Sequence, residues 1–534
     1  MKYLDTTVEI IEYSDDLIYQ YNYYFFKLRK KYLRLIDRNF YKKPNLDILT
    51  SSIAEKNISN SYVYHNLCLY FSILNIVKKK NVKEIIVNNL FLKNILQKKL
   101  KKKIIIIKKK NNFDNIVKFI KVSVKHICVH IISKLLHNKR KLFSNITIVD
   151  RFVTDENPNV DRYYNNFFSN KRDVYQVPTF VNLSLKQIII FLIKSRKKKF
   201  ILKSDYLDLK DIYFSLMFFF RSKKINYKKI NLENLDISHL INDEFNKVSN
   251  FNASVIGIQN YLFAKKMKQN NLKIYKIINW NENSIVDKGW NLGFRTFFPK
   301  NKTYGYQNYF VEKKFSSLDI TSFESKLKSS PEYLLIISKN VKKARKEFTK
   351  NLKFIDVRAL RFDYLFNQKI FKSKFNNKIV ILLNLNINDN FKIINKILKT
   401  KFSTNGNKIF IKEHPLLNLQ SFYKKKLPNN WEIIKGEFKE VIKKFKVVIA
   451  TGSTSSVFES IALGGKVIFP LNNYYDRFNL ELLKVPKNSY KVCQKIEDLD
   501  KSIQEILNQK INNFMYYNNK NRLKKLINKN KYLI

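Results

Sequence analysis

The chain has 534 residues, enough for about two to four domains with buried cores. It carries 102 lysine and arginine residues against 43 aspartate and glutamate residues, a formal net charge of +59. The three cysteines have no paired spacing, which excludes a disulfide framework and a zinc knuckle.

The positive charge is spread along the whole chain, together with an excess of lysine, asparagine and isoleucine. Because all three residues have A/T-rich codons, coding bias explains much of the lysine. The charge still attracts phosphates, anionic lipid headgroups and nucleic acids over long range. The sequence has no RRM, KH or zinc-finger signature, so we count an anionic membrane surface among its possible partners and do not expect nucleic acid.

Two features bear on localisation. The first residues are charged and lack the apolar segment of a secretory signal. The apolar runs at 188–193 and 216–220 are far shorter than the roughly 20 residues of a membrane-spanning helix. We therefore expect a cytoplasmic protein, soluble or peripheral on the inner face of the cell membrane. Residues 187–224 mix apolar blocks with basic clusters, which fits either burial in a domain or docking on an anionic membrane.

The N-terminal part alternates helical and strand-like segments. An aromatic-rich helix is expected within residues 2–43, packing into a core. Four isoleucines at 104–107, between lysine triplets, predict a buried strand. An amphipathic basic helix is expected over 115–136 and a strand over 146–149. His126 and His130 would share one face of that helix, but no neighbouring pattern supplies further ligands, so we assign no metal.

An acidic loop follows the strand predicted at 146–149. It carries Asp150, Asp155, Glu156 and Asp161 in an otherwise basic chain. At the carboxyl end of a strand, such a loop is either part of a functional site or a solvated connection, and the residues leave both open.

From residue 272 the pattern is typical of an α/β fold. Strands are predicted over 274–278, 302–306 and 333–337. A helix is predicted between the first two strands, and another over 341–350 after the third. Glu282 follows the first of these strands, where a doubly wound sheet presents its ligand site. A polar stretch over 367–378 then separates this part from a second α/β unit.

The second unit begins with a strand over 379–383, a helix over 391–400 and a strand over 408–411, which Lys412, Glu413, His414 and Pro415 follow. Residues 447–470 predict a strand (447–450), a turn of small hydroxyl residues (451–456), a helix (457–463) and a second strand. The first N–H groups of a helix have no internal partner, and the helix dipole there favours an anion. We therefore predict a nucleotide phosphate site at the carboxyl ends of these strands.

These residues carry a resemblance to a known family. Lys412, His414 and Pro415, followed by the turn GSTSS (452–456) and by ESIALGG (459–465), resemble the C-terminal half of GT-B glycosyltransferases. The similarity is greatest to enzymes of bacterial surface polysaccharides, such as capsule-synthesis, sialyltransferase-like and teichoic-acid-polymerase-like enzymes. Residues 281–310, NENSIVDKGWNLGFRTFFPKNKTYGYQNYF, also resemble the surface carbohydrate biosynthesis transferases.

The resemblance implies an α/β fold of GT-B type, with two Rossmann-like doubly wound domains facing a cleft. We assign residues 1–370 to an acceptor-side α/β domain with a helical N-terminal elaboration. Residues 371–534 would form the nucleotide-sugar-binding α/β domain with a terminal helix. The resemblance implies neither a cofactor nor a metal.

By position, the resemblance also implies site residues. His414 and the hydroxyls of the turn would bind the donor phosphate, and Pro415 would fix the loop. Glu459, on the first turn of the predicted helix, would either bind the nucleotide ribose or act as a capping-box acid. The donor-binding residues are thus Lys412, His414, Pro415, Gly452, Ser453, Thr454, Ser455, Ser456 and Glu459.

Two residues are assigned to catalysis. An imidazole N–H can offset the growing charge on a leaving phosphate, so His414 is also a catalytic candidate. Glu282 is the first candidate for the base that deprotonates the acceptor hydroxyl, and Asp155 and Glu156 come second.

The predicted function is transfer of a sugar from a CMP- or UDP-activated donor onto a cell-surface polysaccharide, such as capsule or lipopolysaccharide, or onto a lipid-linked glycan. One alternative enzyme is a polyol-phosphate transferase that uses CDP-glycerol, and another is a GT-B-like sugar-nucleotide 2-epimerase. The alternative from a different class is a basic non-enzymatic protein that binds nucleic acid or a membrane.

Overall fold

The computed structural model of the chain forms two compact units. The first contains residues 1–307, 315–336 and 342–355, and the second contains 308–314, 337–341 and 356–534. The structure describes residues 3–6, 14–40, 45–57, 61–100, 103–106, 113–137, 145–169, 171–307, 316–338, 341–342, 345–367, 378–384, 387–414, 417–436, 438–441, 445–450, 455–470, 480, 485–493 and 495–508.

The first unit opens with a three-stranded parallel sheet of order β1-β2-β3. Its strands are β1 (Tyr3–Asp5), β2 (Glu84–Val87) and β3 (Lys103–Ile106). The helices between them are α1 (Asp15–Phe40), α2 (Leu46–Leu49), α3 (Ser52–Glu55), α4 (Tyr62–Lys79) and α5 (Leu90–Lys99). The predicted aromatic helix is α1, and it packs on α4 through Tyr32 and Tyr64, whose stacked rings lie 4.5 Å apart.

A six-stranded sheet follows in the same unit, in the order β11-β10-β9-β8-β4-β5. Its strands are β4 (Ile146–Val153), β5 (Val174–Phe180), β8 (Ile274–Trp280), β9 (Lys302–Gln307), β10 (Tyr333–Ile336) and β11 (Lys353–Asp356). The pairs from β5 through β10 are all parallel. A small antiparallel pair, β6 (Asn231–Leu232) and β7 (Leu235–Asp236), stands apart from this sheet.

The helices of this part include one close pair, α11 and α12. The set is α6 (Phe113–Leu136), α7 (Leu185–Ser195), α8 (Leu209–Leu216), α9 (Phe218–Lys223), α10 (Ser238–Lys247), α11 (Phe251–Gln269), α12 (Ile285–Phe297) and α13 (Ser322–Lys326). A Cβ atom on Gly289 of α12 would lie 1.9 Å from the carbonyl oxygen of Gly257 on α11. The two backbones therefore meet where only glycine fits.

The second unit has a six-stranded, fully parallel sheet of order β14-β13-β12-β15-β16-β17. Its strands are β12 (Ile379–Leu382), β13 (Ile409–Lys412), β14 (Trp431–Ile433), β15 (Val447–Ala450), β16 (Lys466–Phe469) and β17 (Tyr490–Val492). The helices are α14 (Asp363–Asn367), α15 (Ile387–Leu398), α16 (Lys401–Thr404), α17 (Leu419–Phe422), α18 (Phe438–Val441), α19 (Ser455–Ala462) and α20 (Ile496–Asn508).

Strand β12 shows why this sheet is covered on both faces. Val380 and Leu382 enter one apolar cluster, while Ile379 and Ile381 enter another. An uninterrupted apolar run is expected of a parallel strand buried on both faces.

The predicted α/β class with two doubly wound sheets is confirmed. Strand β15 has the bounds predicted for it, and most other predicted strands differ by one or two residues. The strand predicted at 146–149 extends to Val153 because it pairs with β5 over its whole length. The placement of the two units about a cleft stays a prediction.

Candidate functional site

The strand order of the second sheet marks a point where ligands bind. Counted in chain order from β12, its strands lie as 3-2-1-4-5-6. Strands β13 and β14 thus lie on one side of β12, and the chain then crosses to the other side, where β15 pairs with β12. In such sheets the ligand crevice opens at the carboxyl ends of the strands on either side of this reversal. The crevice of the second unit is therefore at the ends of β12 and β15.

His414 and Lys412 lie beside this crevice, at the end of β13. Both side chains are half-buried. The loop is held locally, since the Leu417 amide donates to the His414 carbonyl at 3.0 Å and the Leu419 amide donates to the Glu413 carboxylate at 2.7 Å. Glu413 thus shapes the turn that carries His414. Pro415 is outside the described residues.

On the other side of β12, helix α19 begins with Ser455 and Ser456, close behind β15. Gly452, Ser453 and Thr454, in the connecting turn, are outside the described residues. Strands β13 and β15 each pair with β12, so their ends are about 9 to 10 Å apart, which is two strand spacings. The structure therefore brings Lys412, His414, Ser455 and Ser456 to one edge of the sheet.

Glu459 requires a correction. We predicted it on the first turn of a helix that begins at residue 457, but α19 begins at Ser455, so Glu459 is the fifth residue and lies on the second turn. A capping-box acid is the third residue of a helix, so this position does not fit that role. The prediction failed because the two serines, typical of a turn, are helical here.

The Glu459 side chain is nearly fully buried. Burial raises the pKa of its carboxyl group, while the charge of Arg361 and a hydrogen bond from Tyr364 partly counter this rise. The carboxyl group of Glu459 is therefore held from the segment around α14 as well as from its own helix.

Sequence reasoning missed one feature of this crevice, the turn after β12. Asn390 accepts a hydrogen bond from the Asn384 amide at 2.9 Å and donates to the Asn384 carbonyl at 2.9 Å. The reciprocal pair fixes the backbone directly behind β12. Two asparagines six residues apart are too common a pattern to have predicted it.

The six-stranded sheet of the first unit has its own reversal point. Counted from β4, its order is 2-1-3-4-5-6, so the reversal is between β4 and β8. Glu282 follows β8, and Asp155 and Glu156 follow β4. All three acidic candidates are thus at the carboxyl ends of the two strands that flank this crevice.

Two contacts hold Glu282, whose side chain is half-buried. The indole Nε1 of Trp280 donates to its carboxylate at 3.0 Å. Its own amide donates to Asp287 at 2.9 Å, and Asp287 also accepts from Ser284 and Asn279. Burial raises the pKa of Asp287 to about 7, despite these backbone hydrogen bonds. Asp287, which the sequence did not single out, therefore fixes the turn that presents Glu282.

A buried ionic cluster supports the same turn from behind. Glu324 binds Lys56 at 2.7 Å and also pairs with Lys288, and all three side chains are fully buried. Asn283, next to Glu282, donates to the Ser317 carbonyl at 2.7 Å and faces Lys288. Burial raises the pKa of Glu324, but the two ammonium groups outweigh this effect and hold it at about 2.

Asp155 has a local structural role. Its carboxylate accepts a hydrogen bond from the Asn157 amide at 2.9 Å, which forms a tight turn in the acidic loop. Further along the loop, Tyr163 and Tyr164 pack edge-on against Trp280, with ring centroids 4.6 and 5.9 Å away. The acidic loop therefore covers Trp280, whose indole donates the hydrogen bond that holds the Glu282 carboxylate.

Helix α6 has an apolar face that is exposed. Six aliphatic side chains at spacings of three and four residues, 38% to 76% exposed, form a continuous stripe: Ile116, Ile120, Val124, Ile127, Ile131 and Leu135. Lys118, Lys121 and Lys134 of the same helix are exposed too. Phe220, 48% exposed, adjoins α6 through Phe119, with the two rings 5.4 Å apart.

Of the two interpretations left open for residues 187–224, burial in a domain holds for part of the region, and docking on a membrane stays a prediction. Ile188, Phe191 and Phe218 are buried, whereas Tyr213 and Phe214 are exposed. No helix in the part of the chain that the structure describes is long and apolar enough to cross a membrane. Within the same residues, no group of three or more histidine, cysteine or acidic side chains is placed to hold a metal ion.

The chain matches no family model and no curated protein. Solved structures to which it is similar include the glycosyltransferase SnogD from Streptomyces nogalater, at 9% identity and a TM-score of 0.40, covering 72% of this chain and 96% of that one. MurG from Acinetobacter baumannii is 11% identical, with a TM-score of 0.36, and the match covers 72% of this chain and 100% of that one. UDP-N-acetylglucosamine 2-epimerase from Rickettsia bellii is 9% identical, with a TM-score of 0.39, and the match covers 72% of this chain and 95% of that one. Likeness at this level assigns neither a family nor an activity, so the α/β class rests on the two sheets themselves.

Proposed function

We propose that the chain is a GT-B-type glycosyltransferase that takes a sugar from a CMP- or UDP-activated donor. The observation that supports it best is the position of two features on opposite sides of β12: His414 follows β13, and the N-terminus of α19 follows β15. An imidazole and free helix N–H groups would together meet the charge of a leaving phosphate without a metal ion. Lys412, Pro415 and the turn residues Gly452, Ser453 and Thr454 belong to the proposed donor site.

Glu459 would bind the ribose of the donor, since its position in the second turn of α19 leaves it no capping-box role. In the first unit, Glu282 would deprotonate the acceptor hydroxyl, because it follows the strand at the reversal point and is rigidly supported. Asp155 is a weaker candidate for this base because its carboxylate already forms a turn.

The acceptor would be a surface polysaccharide or a lipid-linked glycan reached at an anionic membrane. The exposed stripe on α6 supports this location, because an apolar helix face flanked by lysines suits the interface of an anionic bilayer. The protein would then be cytoplasmic and peripheral, attached through α6.

Calorimetric titration with CMP, UDP and CDP tests the donor site. We expect binding of CMP or UDP, weakened at least tenfold by His414→Ala and by Glu459→Ala. His239→Ala and Glu497→Ala, at exposed positions, are the matched controls and should bind like wild type. Preference for CDP, with glycerol phosphate transfer from CDP-glycerol, would favour the polyol-phosphate enzyme. If no nucleotide binds at millimolar concentration while nucleic acid binds with a steep salt dependence, the transferase proposal fails.

A further inference from the structure

A pocket in the first unit lies beside the carboxyl end of β5. It encloses about 720 Å³, part of it open to solvent, between α6, α7, α8 and α11. Much of its wall is apolar, including Val129, Ile188, Leu207 and Ile256.

Two lysines bring positive charge to this apolar wall. Lys125 Nζ donates to the Leu183 carbonyl at 2.8 Å, and Lys203 Nζ donates to the Thr179 hydroxyl at 3.1 Å. Among the described residues, neither ammonium group is within ion-pair distance of a carboxylate. Burial lowers the pKa of Lys203 to about 8, although the charge of Asp150 partly counters this fall.

One acidic group, Asp150, is linked to Lys203 through a hydroxyl group. Asp150 accepts a hydrogen bond from the Thr179 hydroxyl at 2.8 Å, so this hydroxyl stands between Asp150 and Lys203. Burial raises the pKa of Asp150 to about 6, and the charge of Lys203 partly counters this rise. The described residues that line the pocket include two lysines and neither Asp150 nor any other acidic residue. The pocket residues therefore carry a net positive charge.

Two further groups in the pocket wall have no hydrogen-bond partner among the residues that the structure describes. His130 Nε2 and Ser204 Oγ are buried, at 4% and 5% residue exposure, with no hydrogen bond from the described residues. By contrast, both ring nitrogens of the neighbouring His126 are used, by Asn252 and Gln259. A buried polar group without a hydrogen-bond partner destabilises the folded chain, so a ligand that satisfies both groups would be stabilised.

We propose that this pocket binds an amphiphilic anion, with a carboxylate or phosphate head between Lys125 and Lys203 and an apolar chain against Ile188, Leu207 and Ile256. His130 and Ser204 would hydrogen-bond the head. A charged head buried this far needs the opposite charge and the hydrogen bonds that these four side chains offer. This inference does not rest on the proposed transferase activity.

The test is calorimetric titration of the full chain with dodecanoate and dodecyl phosphate below their micelle concentrations. Dodecanol and dodecyltrimethylammonium are the neutral and cationic probes. We expect both anions to bind at one site, at least tenfold tighter than the alcohol, and the cation not to bind there. The ratio of the two anion affinities tells whether the natural head is a carboxylate or a phosphate.

Variants locate the binding. Lys125→Met should weaken both anions about tenfold or more, while Lys194→Met, at an exposed position of α7, should leave them unchanged. Ile256→Trp fills the pocket and should abolish binding, with circular dichroism and thermal midpoint confirming the fold. The proposal is overturned if the alcohol or the cation binds as tightly as the anions, or if Ile256→Trp binds like wild type.

Discussion

Trp280 donates a hydrogen bond from its indole Nε1 to the carboxylate of Glu282, 3.0 Å away. The indole is itself held by the rings of Tyr163 and Tyr164 from the acidic loop. The loop after β4 therefore orients the side chain after β8, across the reversal point of the first sheet. A carboxylate that must take a proton from an acceptor is more effective when its position is fixed before the acceptor arrives.

The first prediction concerns this contact. Glu282→Gln should abolish sugar transfer and leave nucleotide affinity unchanged, because the amide cannot act as a base. Trp280→Phe keeps the ring but removes the donor, so we expect kcat to fall about tenfold with little change in the KM for the donor. Steady-state kinetics with a defined donor measure both effects.

A matched control is Trp431→Phe in the second unit, which also loses an indole hydrogen bond, to Ser403 at 3.1 Å. It should retain the wild-type kcat. Equal losses in Trp280→Phe and Trp431→Phe would mean that general destabilisation, and not the position of Glu282, explains the change.

The second prediction concerns the buried cluster of Glu324, Lys56 and Lys288. Glu324→Gln leaves two buried ammonium groups without their counter-charge, which should destabilise the first unit by about 3 to 5 kcal/mol. Amide hydrogen exchange in α12, which carries Lys288, reports this loss locally. Glu497→Gln, exposed on α20, should leave exchange in α12 unchanged.

The same cluster predicts a pH dependence. The pKa of Glu324 is about 2 in the folded chain, against an ordinary value of 4.5, so the lowered pKa belongs to the folded state. Its stabilisation is fully present above pH 4.5 and is lost as pH falls toward 2. The difference between wild type and Glu324→Gln should therefore shrink across this window. A difference that stays constant down to pH 2.5 would contradict the ion-pair account.

The third prediction concerns the apolar stripe on α6. Ile120→Glu and Ile127→Glu place a charge in the middle of the stripe and should each abolish sedimentation with vesicles rich in phosphatidylglycerol. Wild type should bind these vesicles, bind phosphatidylcholine vesicles weakly, and be released by salt, because lysines flank the stripe. Leu90→Glu changes an equally exposed leucine on α5 and serves as the control. Vesicle binding that only Leu90→Glu reduces would move the membrane surface away from α6.

Features that depend on neighbouring residues could be predicted from the sequence, whereas features that depend on residues far apart in the chain could not. Strand β15 was predicted with its observed bounds because four consecutive apolar residues, VVIA, end in a turn of small residues. The beginning of α19 was not, because serines suit a turn and a helix start equally well. Glu282 could be placed at a strand end, but its support could not, since Glu324 and Lys56 are 268 positions apart. The pocket beside β5 likewise joins residues from separate elements, and no local pattern marks it.

The last prediction concerns Glu459 and the pH dependence of nucleotide binding. A carboxylate accepts hydrogen bonds from both ribose hydroxyls, whereas a protonated carboxyl group must give up one acceptor to hold its proton. Because burial raises the pKa of Glu459, nucleotide affinity should begin to fall at a pH above the ordinary range of a glutamate. Titrations with UDP or CMP from pH 8 to pH 5 measure the fall. Glu459→Gln provides the reference. His414 and the nucleotide phosphate titrate in this variant as they do in wild type, but residue 459 cannot titrate.

Arg361 makes the test specific, because its charge favours the ionised form of Glu459. Arg361→Met should raise the pKa of Glu459 further, so the loss of affinity should begin at a higher pH than in wild type. The two affinities should differ least at the highest pH of the titration, where ionisation of the carboxyl group is most favoured in both proteins. If wild type, Glu459→Gln and Arg361→Met share one pH profile, Glu459 does not contact the ribose, and its buried carboxyl group serves only to join α19 to Tyr364 and Arg361.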